Sequence, residues 1–338
     1  MIRVGIPRAL LYYQYYPMWL TFFRELGAEV VLSPITNREI VETGIAPMVA
    51  ETCFPVKVYV GHTCWLRDQG VDTVFIPAIR SVDVGAYNCG KFLGLPDLVR
   101  ATVRDCPPLL EIDIDINQGQ RAFYQAIYGL GMRFTWNPLK VKRASEQAWQ
   151  AHLDYQATMR QGLTPIEALG EMGIDTTEPG TGEEERGQEA APDHQPTALK
   201  IAVIGHPYCV YDAYINYNIV RRLRSMGIQV VTGEMAPAEG IEEGITRLAG
   251  QKYWTYEGEV VGAAGFYFDD RSVDGIISIA AFACGPDSVM LDVVQGAARR
   301  EKRPYMSLII DEHTGEAGMV TRLEAFVDML ARQTRGDG

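Results

Sequence analysis

Six cysteines carry most of the chemistry this sequence could do: Cys53, Cys64, Cys89, Cys106, Cys209 and Cys284. No two stand at C-x-x-C spacing, which excludes a local zinc knuckle or redox dithiol, and six in 338 residues are too sparse for a disulfide scaffold. Any site they share must be assembled by the fold. Cys53 lies in Glu51-Thr52-Cys53-Phe54-Pro55, where Pro55 suits the first turn of a helix running to about Arg67. A thiol there meets the positive end of the helix dipole, which favours the thiolate that metals bind. Cys89 and Cys284 each follow an apolar, strand-like run, Val71–Pro77 and Val273–Ile279, in the loops where open α/β sheets bind their ligands. Cys209 reads either as a fourth ligand or as packing. Cys64, inside the helix of Cys53, and Cys106, before Pro107-Pro108, read as structural. Burial is the plain alternative for every one of them, because cysteine is among the most buried residue types.

Two further stretches bear polar groups in telling places. Asp311-Glu312-His313-Thr314-Gly315-Glu316 follows the last apolar run; Glu312 or His313 there would hydrogen-bond a bound group or transfer a proton, and the plain reading is a loop capping the next helix. Gly85-Ala86-Tyr87-Asn88-Cys89-Gly90-Lys91-Phe92 matches a P-loop until its last position, where Phe92 replaces the hydroxyl residue that holds magnesium. With no G-x-G-x-x-G or H-E-x-x-H present, ATP hydrolysis by this chain is not expected. Tyr12, Tyr13, Tyr15, Tyr16 and Trp19 read as core and domain-interface packing, and Lys57 and His62 as a solvated face behind Cys53.

The elements that must position these residues repeat. Gly5, Pro7, Gly27 and Val30-Val31 recur at a constant offset as Gly205, Pro207, Gly227 and Val230-Val231. Each copy reads as an apolar strand, a proline-containing loop, an amphipathic helix stopped by glycine, and a second strand. Strands alternating with helices imply α/β architecture with parallel sheets covered on both faces. Residues 164–197 hold nine acidic residues against one arginine and few large apolar ones, the composition of a flexible linker. The expected organisation is therefore a first domain over 1–163, an acidic linker over 164–197 and a second domain over 198–338. A helical run at Ser145–Gln161 leaves the first domain, a last strand spans Tyr305–Ile310, and Thr321-Arg322-Leu323-Glu324 fits a capping box opening a C-terminal helix.

Composition narrows the function classes. At 47% hydrophobic and 22% charged residues the chain reads as globular, and no apolar run approaches a membrane span. A net charge of −12 argues against nucleic acid, whose phosphates need clustered Lys and Arg. Arg3, Pro7, Arg8 and Pro17 interrupt the aromatic-rich start, so no secretory signal is expected and the cytoplasm is the expected compartment.

Several of these motifs together resemble the activase-related family of the 2-hydroxyacyl-CoA dehydratases: Gly5-Ile6-Pro7-Arg8-Ala9-Leu10, Glu51 to Lys57, Cys89 to Asp97, Gly205-His206-Pro207-Tyr208 with Asp212, and Asp311 to Gly318 with Thr321 to Phe326. The resemblance covers nearly everything outside the acidic segment. It implies kinship with dehydratase and benzoyl-CoA reductase subunits, which fold as two Rossmann-like domains with an iron–sulfur cluster in the cleft between them. Residue by residue, the family's cluster cysteines look like Cys53, Cys89 and Cys284, and the implied cofactor is a [4Fe-4S] cluster. A double-cubane [8Fe-9S] cluster, found in other relatives, would need Cys209 and Cys64 as well. The resemblance also implies a partner, a homodimeric iron–sulfur ATPase of the actin and sugar-kinase type, which injects a low-potential electron. This chain would be the acceptor, and would reduce or dehydrate a small activated substrate. The competing reading is a non-redox module whose two lobes close on a small ligand; a zinc site from the same cysteines is a third. A homodimer is left open.

Overall fold

The computed structural model describes residues 1–174 and 199–335. Valine- and isoleucine-rich runs form two four-stranded parallel sheets. The first contains β1 (Arg3–Ile6), β2 (Glu29–Leu32), β3 (Thr73–Ser81) and β4 (Leu109–Asp115) in the order β2-β1-β3-β4. The second contains β5 (Lys200–Gly205), β6 (Gln229–Thr232), β7 (Gly275–Ala281) and β8 (Tyr305–Ile310) in the order β6-β5-β7-β8. The strand order repeats but the register does not: Val30 pairs with Val4 in the first sheet, whereas Val230 pairs with Ile201, three residues before Ile204, the counterpart of Val4. Helices flank both sheets, and every residue of β7 is buried, as a strand covered on both faces requires. The fold is α/β with two Rossmann-like domains, as the repeat implied.

Two compact units result: one of Met1–Thr158, Pro165–Ile174 and Tyr253–Thr255, the other of Met159–Thr164 and the described residues from 199 on, apart from those three. In the first, the helix Tyr12–Leu26 ends at Gly27, whose φ of 88° supplies the left-handed cap. Tyr12, Tyr13, Tyr16 and Trp19 on it are buried, with Trp19 4.6 Å from Phe75 of β3. The helix Pro138–Met159, longer than the expected Ser145–Gln161, packs on this unit through Val141, Ala144 and Ala148, and its Tyr155 hydroxyl donates to the Tyr13 carbonyl at 2.7 Å. Within the segment read as linker, Pro165–Glu171 is helical with Ala168 and Leu169 buried; residues 175–197 lie outside the described residues.

A helix pair recurs in each unit. Arg38–Ile45 crosses Phe54–Asp68 where a Cβ on Gly44 would strike the Lys57 carbonyl oxygen, and Ala238–Ala249 crosses Thr255–Asp269 where a Cβ on Gly244 would strike that of Gly262. Backbones approach so closely only because side chains are missing there. This crossing corrects one expectation, since it covers the outer face of the Phe54–Asp68 helix. Lys57 and His62 are buried, not solvated: Lys57 donates to the Ala50 carbonyl at 3.0 Å, and His62 bonds Ser33 and Thr36 through its two ring nitrogens. A second correction concerns the last helix. It begins at Glu316, after a turn closed by Asp311 and Thr314, so Thr321 is interior and donates to the Ala317 carbonyl instead of capping. Among the described residues no helix is long and apolar enough to cross a membrane.

Candidate functional site

In each sheet the strand order reverses beside the first strand, between β1 and β3 and between β5 and β7. The connections leaving the carboxyl ends of these neighbours diverge and open a crevice, which makes the switch point the place for a ligand. In the second unit it is densely functional. Gly205 ends β5 opposite Ile279 of β7, and a Cβ there would strike the Ile279 carbonyl oxygen. The next residue, His206, begins a one-turn helix over Pro207–Val210. From β7 the chain passes through Ala283, strained at φ 63°, to Cys284, the N-cap of the helix Gly285–Glu301. Asp287 lies in that helix's first turn and Glu257 in the first turn of Thr255–Asp269, where helix dipoles favour a negative charge.

These four side chains meet: one ligating atom from each of His206, Glu257, Cys284 and Asp287 lies within 4.8 Å of all the others. His206 Nε2 is 2.9 Å from Asp287 Oδ1 and 3.8 Å from Glu257 Oε1, with the ring stacked on Tyr208 at 5.0 Å. His206, Glu257 and Asp287 are only 2%, 3% and 4% exposed, whereas Cys284 is half-buried. Short as it is, the His206–Asp287 contact lies off the direction of a ring N–H, so His206 Nε2 has no hydrogen-bond partner, and neither has Glu257 Oε2 or Asp287 Oδ2. Burial opposes a charge on His206, but Asp287, Cys284 and Glu257 outweigh it and hold the ring well above its usual range. Burial pushes Cys284 and Glu257 up, and His206 opposes that shift in both. Three acidic or thiol groups thus crowd one imidazole.

In the first unit, Cys53 is the N-cap of Phe54–Asp68 and Cys89 that of the short helix Gly90–Leu93; both are half-buried, and neither side chain makes a capping hydrogen bond. The loop before Cys89 is pinned by Asn117, which bonds the Gly85 N–H at 2.8 Å and Ser81 Oγ at 2.9 Å. Gly85 to Phe92 runs from the loop after β3 into the single turn Gly90–Leu93, and Phe92, where a P-loop has its hydroxyl residue, is buried. Of the remaining thiols, Cys209 and Cys64 are buried and Cys106 is half-buried, with Cys64 and Cys106 both pushed up by burial. Cys209 sits in the helix that His206 begins, where its N–H bonds the His206 carbonyl. His313 is exposed, its backbone N–H bonded to Asp311, and neither it nor Glu312 is among the side chains gathered around Cys284.

Sequence reasoning picked Cys284 and quoted His206 within a motif, but missed the gathering. Asp287, three residues past Cys284 and in the same first turn, was the available signal; Glu257 belongs to no motif. An apolar pocket in the first unit is lined by Pro7, Leu10, Tyr12, Tyr59, Phe75 and Pro77.

In comparison with known families, the model of the CoA enzyme activase uncharacterised domain (DUF2229) matches residues 3–236. That span contains the whole first sheet, β5 and β6, with Cys53, Cys89, His206 and Cys209. No curated protein matches the chain. On the family match, which extends over more than half its length, the chain belongs to the CoA enzyme activase uncharacterised domain family, an activase-related family of the 2-hydroxyacyl-CoA dehydratase system.

Proposed function

We propose that this protein accepts low-potential electrons in a reaction of the 2-hydroxyacyl-CoA dehydratase type, through a [4Fe-4S] cluster held by Cys53, Cys89 and Cys284. One observation supports this above the rest. All three are half-buried helix N-caps, Cys53 and Cys89 in the first unit and Cys284 in the second. Helix N-termini stabilise the anionic sulfurs that iron requires, and thiolates are the usual donors of such clusters. The bound cluster would supply one-electron chemistry, and three cysteines on four irons leave one iron open to a substrate oxygen. The chain's own residues bind and orient: Asn117 fixes the Cys89 loop, and the Gly44–Gly61 crossing seats the helix behind Cys53. A separate ATP-hydrolysing activase would be the electron donor and a small activated molecule the substrate. Cys64 and Cys209 are buried, which favours one cubane over a double cubane. Anaerobically purified protein is expected to contain about four iron and four acid-labile sulfide per chain. Colourless protein free of both would overturn the proposal and favour a ligand-binding module.

A further inference from the structure

We infer that His206, Glu257, Cys284 and Asp287 form a binding site for one mononuclear divalent transition-metal ion, built within the second unit alone. The donor set is one imidazole nitrogen, two carboxylate oxygens and one thiolate. Such a mixture suits zinc, iron(II) or cobalt(II), and is poor for magnesium or calcium, which prefer all-oxygen shells. Bonds of about 2.0–2.3 Å set tetrahedral donors roughly 3.3–3.7 Å apart. The observed His206 Nε2 separations of 2.9 Å to Asp287 and 3.8 Å to Glu257 bracket that range, and the widest spacing among the four donors, up to 4.8 Å, would close by about 1 Å on binding.

The orphaned atoms decide between a metal and a buried ion pair. An ion pair would aim the ring N–H of His206 at Asp287 and would have no use for a second carboxylate. Instead His206 Nε2, Glu257 Oε2 and Asp287 Oδ2 all lack hydrogen-bond partners, on residues at least nine-tenths buried. Native proteins seldom leave such groups unpaired, and one cation among them satisfies all three. The frame is stiff, since Gly205 packs directly on Ile279 and both acids sit in first turns of helices. Cys284, the half-buried member, marks the side by which an ion enters.

This inference does not depend on the cluster. The two sites share Cys284 and compete for its thiolate, so metal loading is measured on cluster-free chain, purified in air, kept reduced and stripped with a chelator. Dialysis against cobalt(II) is expected to load one ion per chain, with the intense visible bands of four-coordinate cobalt and a thiolate-to-cobalt charge-transfer band. Asp287→Asn and Glu257→Gln, which preserve shape, should each weaken binding by more than about tenfold. Cys284→Ser should abolish the charge-transfer band, and a Cys53→Ser/Cys89→Ser chain should bind as the parent does. Folding of each variant is checked by circular dichroism, and if one fails to fold, the parent's stoichiometry and charge-transfer band carry the test. Cobalt below half an ion per chain, no charge-transfer band, or undiminished affinity in both folded acid variants would overturn the site. Iron and sulfide in anaerobic protein report on the cluster separately.

Discussion

A thiolate at a helix N-terminus is stabilised by the N–H groups behind it. That argument reaches Cys53, and Cys284 against the burial that pushes its thiol up; Cys89 opens only the single turn Gly90–Leu93, and Cys64 lies inside the Phe54–Asp68 helix. If the proposed cluster is held by Cys53, Cys89 and Cys284, replacing any of them by Ser is expected to lose or convert it, whereas Cys106→Ser and Cys209→Ser keep about four irons per chain; iron and sulfide analysis of anaerobic protein reads the difference. His62 offers a test of stability with no metal involved. Burial and the nearby Arg8 charge lower its pKa from 6.5 to about 3 in the folded chain. Above 6.5 it is neutral in both states and the fold keeps its full stability. As pH falls below 6.5 the unfolded chain takes up a proton that the folded chain refuses, so stability drops by up to ~1.4 kcal/mol per pH unit until about 3. His62→Gln removes this linkage. Between about pH 7 and pH 5, its loss of unfolding free energy in urea should be smaller than the parent's by roughly 2 kcal/mol; equal losses would show that His62 is not held neutral.

Helix crossings are where the two halves most resemble each other and where sequence reading failed most plainly. Gly5 and Gly205, Pro7 and Pro207, and Gly27 and Gly227 reveal the repeat because strand, loop and helix stop each leave a local pattern. Gly44, Gly61, Gly244 and Gly262 leave none, because a glycine inside a helix looks like a propensity defect until the partner backbone is seen. For the same reason the helix carrying Lys57 and His62 reads as half-solvated, although a second helix covers its outer face. Adding a methyl at such a crossing forces the backbones apart. Gly61→Ala, whose Cβ would strike the Ile40 carbonyl oxygen, should cost about 3 kcal/mol or more, and Gly244→Ala a similar amount. Gly129→Ala is the contrast: its Cβ would meet nothing within 4 Å, and a helical alanine gains about 0.5–1 kcal/mol over glycine. Thermal unfolding that ranks Gly61→Ala with Gly129→Ala would refute the crossing.

At the scale of the molecule, the gathering of His206, Glu257, Cys284 and Asp287 was illegible for a topological reason. These residues span 206 to 287 and meet because β5 lies beside β7, a fact of strand order that no spacing encodes. The places of Cys53 at a helix start and of Cys89 and Cys284 in loops after strands were legible because helix-start and strand-end signals are local. The departure from a P-loop at Phe92 is a local feature of the sequence too, and it bears on energy supply. Phe92 stands where a P-loop needs a hydroxyl, and Gly90 to Leu93 form only a single helical turn behind Cys89. In the cluster reading, electrons driven by ATP must then come from another polypeptide through a close, transient contact. Anaerobic protein mixed with an activating ATPase of its own system, reductant and Mg-ATP should develop a paramagnetic signal from the reduced cluster. Omitting either the ATPase or the nucleotide should abolish that signal. The isolated chain should hydrolyse no ATP above background. Hydrolysis by the chain alone at an enzymatic rate would refute the division of labour, and reduction without nucleotide would show that its cluster lies at an ordinary potential.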